Sequence, residues 1–95
     1  MQYYVYILAS QPNGTLYIGR TGNLIKRIYE HKQKFAKGYT SKYAVDKLVY
    51  YEICQDAGVM VQRERRLKTW RRAWKVSLIE KENPNWVDLY EEITK

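Results

Sequence analysis

Arg27 and His31 stand four residues apart in "LIKRIYEH", beside Leu24 and Ile28. On a helix, residues at that spacing are neighbours. At about 100° per residue, both lie on one flank of the apolar stripe Leu24, Ile28 and Phe35. Two cation-capable groups this close repel unless an anion lies between them or the imidazole is neutral. A guanidinium grips phosphate with paired hydrogen bonds, and a neutral imidazole takes a proton from a nearby hydroxyl. Glu64 is a second anomaly. It projects onto the helix face of Met60, Leu67, Trp74 and Leu78, where a carboxylate is costly unless paired or metal-bound. Lys68 or Arg71 offers a salt bridge. The other reading is a hard cation, since Mg²⁺ takes one or two carboxylates and fills its shell with water and phosphate oxygens.

Tyr6 and Tyr17 complete the set. With a four-residue turn at 11–14, Tyr17 faces Leu8 and Tyr6 lies diagonally from it on the same sheet face, within reach for aromatic side chains. Each feature has a packing explanation: stacked rings, a boundary histidine on a carbonyl, a surface ion pair. Together they supply a group to deprotonate water, one to bind phosphate and one to neutralise a leaving oxygen. Those are the needs of metal-assisted phosphodiester cleavage.

The elements that must position these groups are readable in outline. "YYVYIL" (3–8) and "TLYIG" (15–19) are β-branched and aromatic, and "SQPNG" between them is a turn, which makes a β-hairpin. Thr21 to Asn23 offers a cap for a helix over 24–35, with Gly38 as stop signal and a loop over 37–43. "KLVYYEIC" (47–54) reads as a third strand. A long helix is expected from Ala57 to Lys75 or beyond. A short last helix in "ENPNWVDLYEEI" is expected to have Asn83 as cap and Pro84 at its first position. The order β-β-α-β-α-α gives an α+β fold, a small, mainly antiparallel sheet with helices packed on it.

Ninety-five residues fit one domain, 1–95, with a single modest core. The one cysteine, Cys54, builds neither a disulfide framework nor a zinc cluster. The N-terminus lacks the pattern of a secretory signal, and no stretch is long and apolar enough to span a membrane. A soluble cytoplasmic protein is expected. The formal net charge is +7, concentrated at 20–47 (eight Lys/Arg, two acids) and 60–75 (seven, one), while 80–95 is acidic (two, five). Such segregation fits a polyanionic partner.

The stretches "YVYIL" (4–8), "LYIGRTGNLIKRIYEH" (16–31) and "VQRERRLKTW" (61–70) resemble a GIY-YIG nuclease domain, and the whole chain is similar to the small stand-alone GIY-YIG proteins of bacteria. The first motif departs, reading Tyr-Val-Tyr and keeping only the functional Tyr. The resemblance implies a three-stranded antiparallel sheet flanked by helices, one divalent ion (Mg²⁺ or Mn²⁺) and hydrolysis of DNA to 5′-phosphate and 3′-hydroxyl ends. It assigns catalytic roles to Tyr6, Tyr17, Arg27 and His31 and metal binding to Glu64, and it places Asn83 beside the site. In this reading Tyr6 takes the water proton with help from a neutral His31, Arg27 clamps the phosphate, and Tyr17 orients it. The two tyrosines could exchange roles. Arg20, Lys26, Lys42, Arg63, Arg66 and Lys68 are then candidates for DNA backbone contacts, which position without reading sequence. The expected substrate is single-stranded or structured duplex DNA, met with low sequence specificity in repair or recombination. The rival readings are a non-catalytic single-strand-binding module and an adaptor for a repair protein.

Overall fold

The computed structural model describes residues 2–34, 38 and 42–95. The elements run β1 (Tyr3–Ala9), β2 (Leu16–Thr21), α1 (Leu24–Lys32), β3 (Lys47–Cys54), α2 (Ala57–Thr69), α3 (Arg72–Glu82) and α4 (Tyr90–Ile93). The three strands form one antiparallel sheet in the order β2-β1-β3. Among the described residues no helix is long and apolar enough to cross a membrane.

The hairpin register follows from its turn. Gly14 N–H donates to Gln11 O at 2.9 Å and Ser10 N–H to Thr15 O at 3.0 Å, closing the four-residue loop. Leu8 therefore pairs with Tyr17 and Tyr6 with Gly19. Strand alternation then sorts β1 between two faces. Val5, Ile7 and Ala9 join Ile18, Leu67, Ile79 and Trp86 in a core under α2 and α3. Tyr6 and Leu8 join Leu24, Ile28 and Leu48 in a second core under α1 and α4. The sheet is thus the middle of three layers.

A β-bulge between the Ile7–Tyr50 and Leu8–Leu48 pairs lets consecutive Val49 and Tyr50 both join the α2/α3 core. The bulge leaves a carbonyl out of the ladder. Asn83 satisfies it: its Nδ2 donates to Val49 O at 3.0 Å and to Val87 O at 2.9 Å, while its Oδ1 accepts from Val87 N–H at 2.9 Å.

Three expectations are corrected here. Helix α1 stops at Lys32 with Gln33 as its C-cap, because Lys34 adopts a left-handed conformation (φ 59°) before Gly38 is reached. Phe35 and most of the 37–43 loop lie outside the described residues. The long helix is broken. A continuous helix over 57–82 is about 39 Å long, whereas the molecule measures 30 Å across. Trp70 and Arg71 are extended, with ψ of 149° and 151°, and fold α3 back onto the sheet. Arg72 pins the start of α3 to the hairpin turn through Asn13 O and Gly14 O, both at 2.7 Å. Finally, Asn83 caps the C-terminus of α3 and begins a turn; the last helix starts only at Tyr90. The turn carries the chain past β3, where Leu89 N–H donates to Leu48 O at 2.7 Å.

Replacing Asn83 with alanine strands two carbonyls and an N–H at the bulge. Asn83→Ala should lower unfolding stability by about 2–4 kcal/mol, read as the urea midpoint at unchanged slope. A loss below about 0.5 kcal/mol would refute the bulge assignment.

Candidate active site

Strand parity places Tyr6 and Tyr17 on the sheet face that α1 covers, and α1 turns Arg27 and His31 toward them. The cap of α1 sets that rotation: Asn23 Oδ1 accepts from Lys26 N–H at 3.2 Å, and Thr21 Oγ1 accepts from Asn23 N–H at 3.0 Å. The Tyr6 hydroxyl lies 3.0 Å from His31 Nε2. Ring centres are 6.5 Å apart for Tyr6 and Tyr17, 5.9 Å for Tyr6 and His31, and 5.6 Å for Tyr17 and His31. The three rings form one triangle.

Gly19 makes the triangle fit. A Cβ there would sit 2.4 Å from the Tyr6 hydroxyl oxygen, 2.5 Å from Cζ and 3.0 Å from Tyr17 Cε2. The Tyr6 ring lies across the β2 backbone at the one residue without a side chain to obstruct it.

His31 is 3% exposed. Burial first, then the Arg27 charge, lowers its pKa to about 4, while Glu30 pushes weakly the other way. The imidazole is therefore neutral at pH 7, and with its proton on Nδ1 it accepts from the Tyr6 hydroxyl. Burial pushes Tyr6 up to about 12, although Arg27 beside it pulls the other way; Tyr17 and Glu64 add to the rise. Both shifts oppose moving the phenol proton onto His31 with nothing else bound. Arg27 is partly exposed, reaches Glu30 Oε1 at 3.4 Å, and lines a cleft of about 410 Å³ with Thr21, Asn23 and Lys26.

Glu64 arrives from the other layer. It sits on α2, 6% exposed, with Oε1 2.6 Å from Arg20 Nη1 and Oε2 3.3 Å from Lys68 Nζ. Arg20 follows Gly19 on β2, so its side chain leaves the opposite face from Tyr17. Four of the five expected groups cluster on the α1 face; the acid reaches Arg20 on the edge strand β2 from the α2 side, and its charge acts on Tyr6. A second cleft of about 240 Å³ opens on that edge, lined by Leu16, Tyr17, Ile18, Lys68 and Lys75.

The expected backbone-contact residues divide. Lys26 and Arg66 are exposed, Lys26 at the Arg27 cleft. Lys42 is exposed and lies over the Tyr43 ring at 5.5 Å. Arg20 and Lys68 are engaged by Glu64. Arg63 is held inward: its Nε lies 2.5 Å from Glu52 Oε1 and its guanidinium 5.3 Å from the Trp70 ring centre, so it ties α2 to β3 rather than facing outward. Asn83 is bonded to Val49 O at the β3 bulge and to Val87. Lys75 was missed, because an unbroken helix turns it elsewhere. The Arg20–Glu64 pair joins residues 44 apart and left no local signal, although strand parity already sets Arg20 on the face opposite Tyr17.

Among the described residues no three His, Cys, Asp or Glu side chains could hold a metal by themselves. A single nearly buried carboxylate fits the hard divalent ion that completes its shell with water and phosphate oxygens. It does so only if Arg20 or Lys68 yields its oxygen.

Residues 2–77 match the GIY-YIG catalytic domain, and the chain belongs to that family, one of nucleases. A UPF0213 protein of Syntrophus aciditrophicus is 40% identical over 82 residues, covering 85% of this chain and 92% of the relative. One from Desulfotalea psychrophila is 34% identical over 90 residues, covering 93% and 80%. The solution NMR structure of a UPF0213 protein from Bacillus halodurans has the same fold, with a TM-score of 0.57 at 25% identity over 93% of both chains.

Two outcomes test this geometry. Gly19→Ala drives a methyl into Tyr6 and should cost about 1–3 kcal/mol in urea unfolding; an unchanged midpoint would show that the ring moves aside freely. The lowered pKa of His31 makes stability pH-dependent. The unfolded imidazole titrates near 6.5, so this contribution is complete above that pH and is lost as pH falls toward 4, by on the order of 3 kcal/mol. His31→Gln should flatten that part of the stability–pH curve, and an identical slope in both chains would show that His31 does not carry it.

Proposed function

We propose that the chain, acting as one unit over 1–95 in the cytoplasm, is a divalent-metal-dependent DNA endonuclease of low sequence specificity. The observation that carries this reading is the Tyr6 hydroxyl 3.0 Å from a buried, neutral His31, with Arg27 beside both. A buried phenol–imidazole pair of this kind is a proton relay, and a neighbouring guanidinium is a phosphate clamp.

In this reading Arg27 and Lys26 take the non-bridging oxygens of a backbone phosphate laid along the β2 edge. Tyr17, on the neighbouring cleft with Lys68 and Lys75, orients the phosphate or the attacking water. Tyr6 accepts the water proton as its own passes to His31 Nε2. The hydrogen bond to His31 supports Tyr6 in this role. The high Tyr6 pKa holds the relay off in the free protein, so unproductive proton transfer is suppressed until substrate arrives. Glu64 would hold Mg²⁺ or Mn²⁺, which supplies positive charge for the departing 3′ oxygen and lowers the pKa of neighbouring acids. An incoming phosphate gives Arg20 and Lys68 an alternative anion, and their release opens Glu64. Cleavage leaves 5′-phosphate and 3′-hydroxyl ends. Among the described residues no base-reading element is evident, so structured or single-stranded DNA is the proposed substrate, in repair or recombination with a repair protein as partner.

One observation favours a second reading. Glu64 is closed by two cations, which suits a non-catalytic nucleic-acid-binding module. Labelled single-stranded and duplex DNA, incubated with Mg²⁺, Mn²⁺ or chelator, separates the two. Metal-dependent cutting to ligatable ends supports the nuclease, and chelator-insensitive binding without cutting supports the module. Glu64→Gln should reduce cutting about 100-fold or more. Its binding to DNA should persist or tighten, because the change frees Arg20 and Lys68. Full activity in this variant would refute the assignment of Glu64.

A further inference from the structure

We propose that Trp74, braced by Trp70 at the α2–α3 corner, is a stacking platform for an unpaired nucleobase of a strand that passes along the β2 edge. The inference rests on the nucleic-acid part of the reading above and is independent of cutting. Trp70 packs on the core below, while Trp74 is 52% exposed in the first turn of α3. The rings meet edge to face, with centres 6.1 Å apart and planes at 86°. That geometry fixes the Trp74 plane before anything binds, so little side-chain freedom is lost on stacking. The extended Trp70–Arg71 link that breaks the long helix is what holds the two rings at the corner.

The surroundings select a polyanion. The Arg71 guanidinium lies 5.4 Å from the Trp74 ring centre. A shallow cleft of about 380 Å³ runs from the two rings over Ser77 and Leu78 to Lys81. The nearby acid Glu80 is occupied by Trp86 Nε1 at 2.8 Å. An aromatic face rimmed by cations is the arrangement that holds single strands, by stacking on one side and backbone charge on the other. The platform also adjoins the candidate site. Lys75, the residue after Trp74, lines the cleft that contains Tyr17 and Lys68. A strand whose phosphate meets Tyr17 can follow Lys68 and Lys75 and set a flanking base on Trp74. Duplex DNA offers no unstacked base there, so the platform favours single-stranded flanks.

The test uses the full chain in chelator, with a short fluorescein-labelled oligothymidylate, an abasic strand of the same length and a duplex, read by anisotropy. Trp74→Ala should weaken oligothymidylate binding about tenfold or more, and Trp74→Phe should stay within about threefold of the wild type. The abasic strand should bind the wild type about as weakly as oligothymidylate binds Trp74→Ala. Circular dichroism checks that the exposed substitution leaves the fold intact. Equal affinity of Trp74→Ala and wild type, no discrimination against the abasic strand, or no binding by the wild type would each overturn the platform. A chain that never cuts yet loses affinity with Trp74→Ala keeps the platform and loses the nuclease reading. Cutting by a chain whose affinity is unchanged in Trp74→Ala does the reverse.

Discussion

The Tyr6 ring crosses the β2 backbone where Gly19 presents no side chain, and the candidate site depends on that crossing. β1 is the central strand, so a residue on it has neighbours on both sides and little room for a polar tip. Over Gly19 alone can the phenol reach past the ladder to His31 on α1. The hydroxyl finds an acceptor, the imidazole a hydrogen-bond partner, and Tyr17 closes the triangle from the edge strand. A side chain at residue 19 would push the ring back toward the core and leave His31 Nε2 without the phenol. Packing and chemistry are the same constraint here.

Cationic side chains gather on both sides of the crossing. Arg27 and Lys26 stand on one side of the β2 edge, and Lys68 and Lys75 on the other. Arg20 and Lys68 share one nearly buried carboxylate. A buried carboxylate with two cationic partners is well satisfied, and removing the partners without replacement is costly. A backbone phosphate alters that balance, because it offers the same cations a second anion with more than one acceptor oxygen. In the proposed function, substrate arrival is the event that exchanges these ion pairs.

How far these features were legible in the sequence depends on their range. The hairpin register follows from a four-residue turn, so the pairing of Leu8 with Tyr17 was readable from "SQPNG" alone. The cap at Asn23 and the Arg27–His31 spacing are likewise local. The break at Trp70 and Arg71 was not, since neither residue is a helix breaker. What ends α2 is the width of the sheet it lies on and the hold of Arg72 on the distant hairpin turn. Asn83 was read as the cap of a following helix because an asparagine before proline suits that role. The deciding partner, Val49 O, lies 34 residues earlier, at a bulge that no pattern announces. The face on which Glu64 lands was hidden in the same way. Period arithmetic placed it inward on its helix, but the layer order that sets it opposite the phenols belongs to the tertiary structure.

That layer order has a physical consequence for the whole domain. His31, Glu64 and Asn83 are buried polar groups, one under α1, one under α2 and one at the bulge joining α3 to β3. A chain of this length has little apolar surface with which to offset them. Each is tolerated because a partner from another element meets it: Tyr6 for His31, Arg20 for Glu64, Val49 for Asn83. The partnerships tie each helical layer to the sheet between them. The proposed relay and acid are therefore set against each other only when both layers are docked, and partial unfolding of either face dismantles the candidate site. The polar groups that cost this small domain stability also make its chemistry conditional on being fully folded.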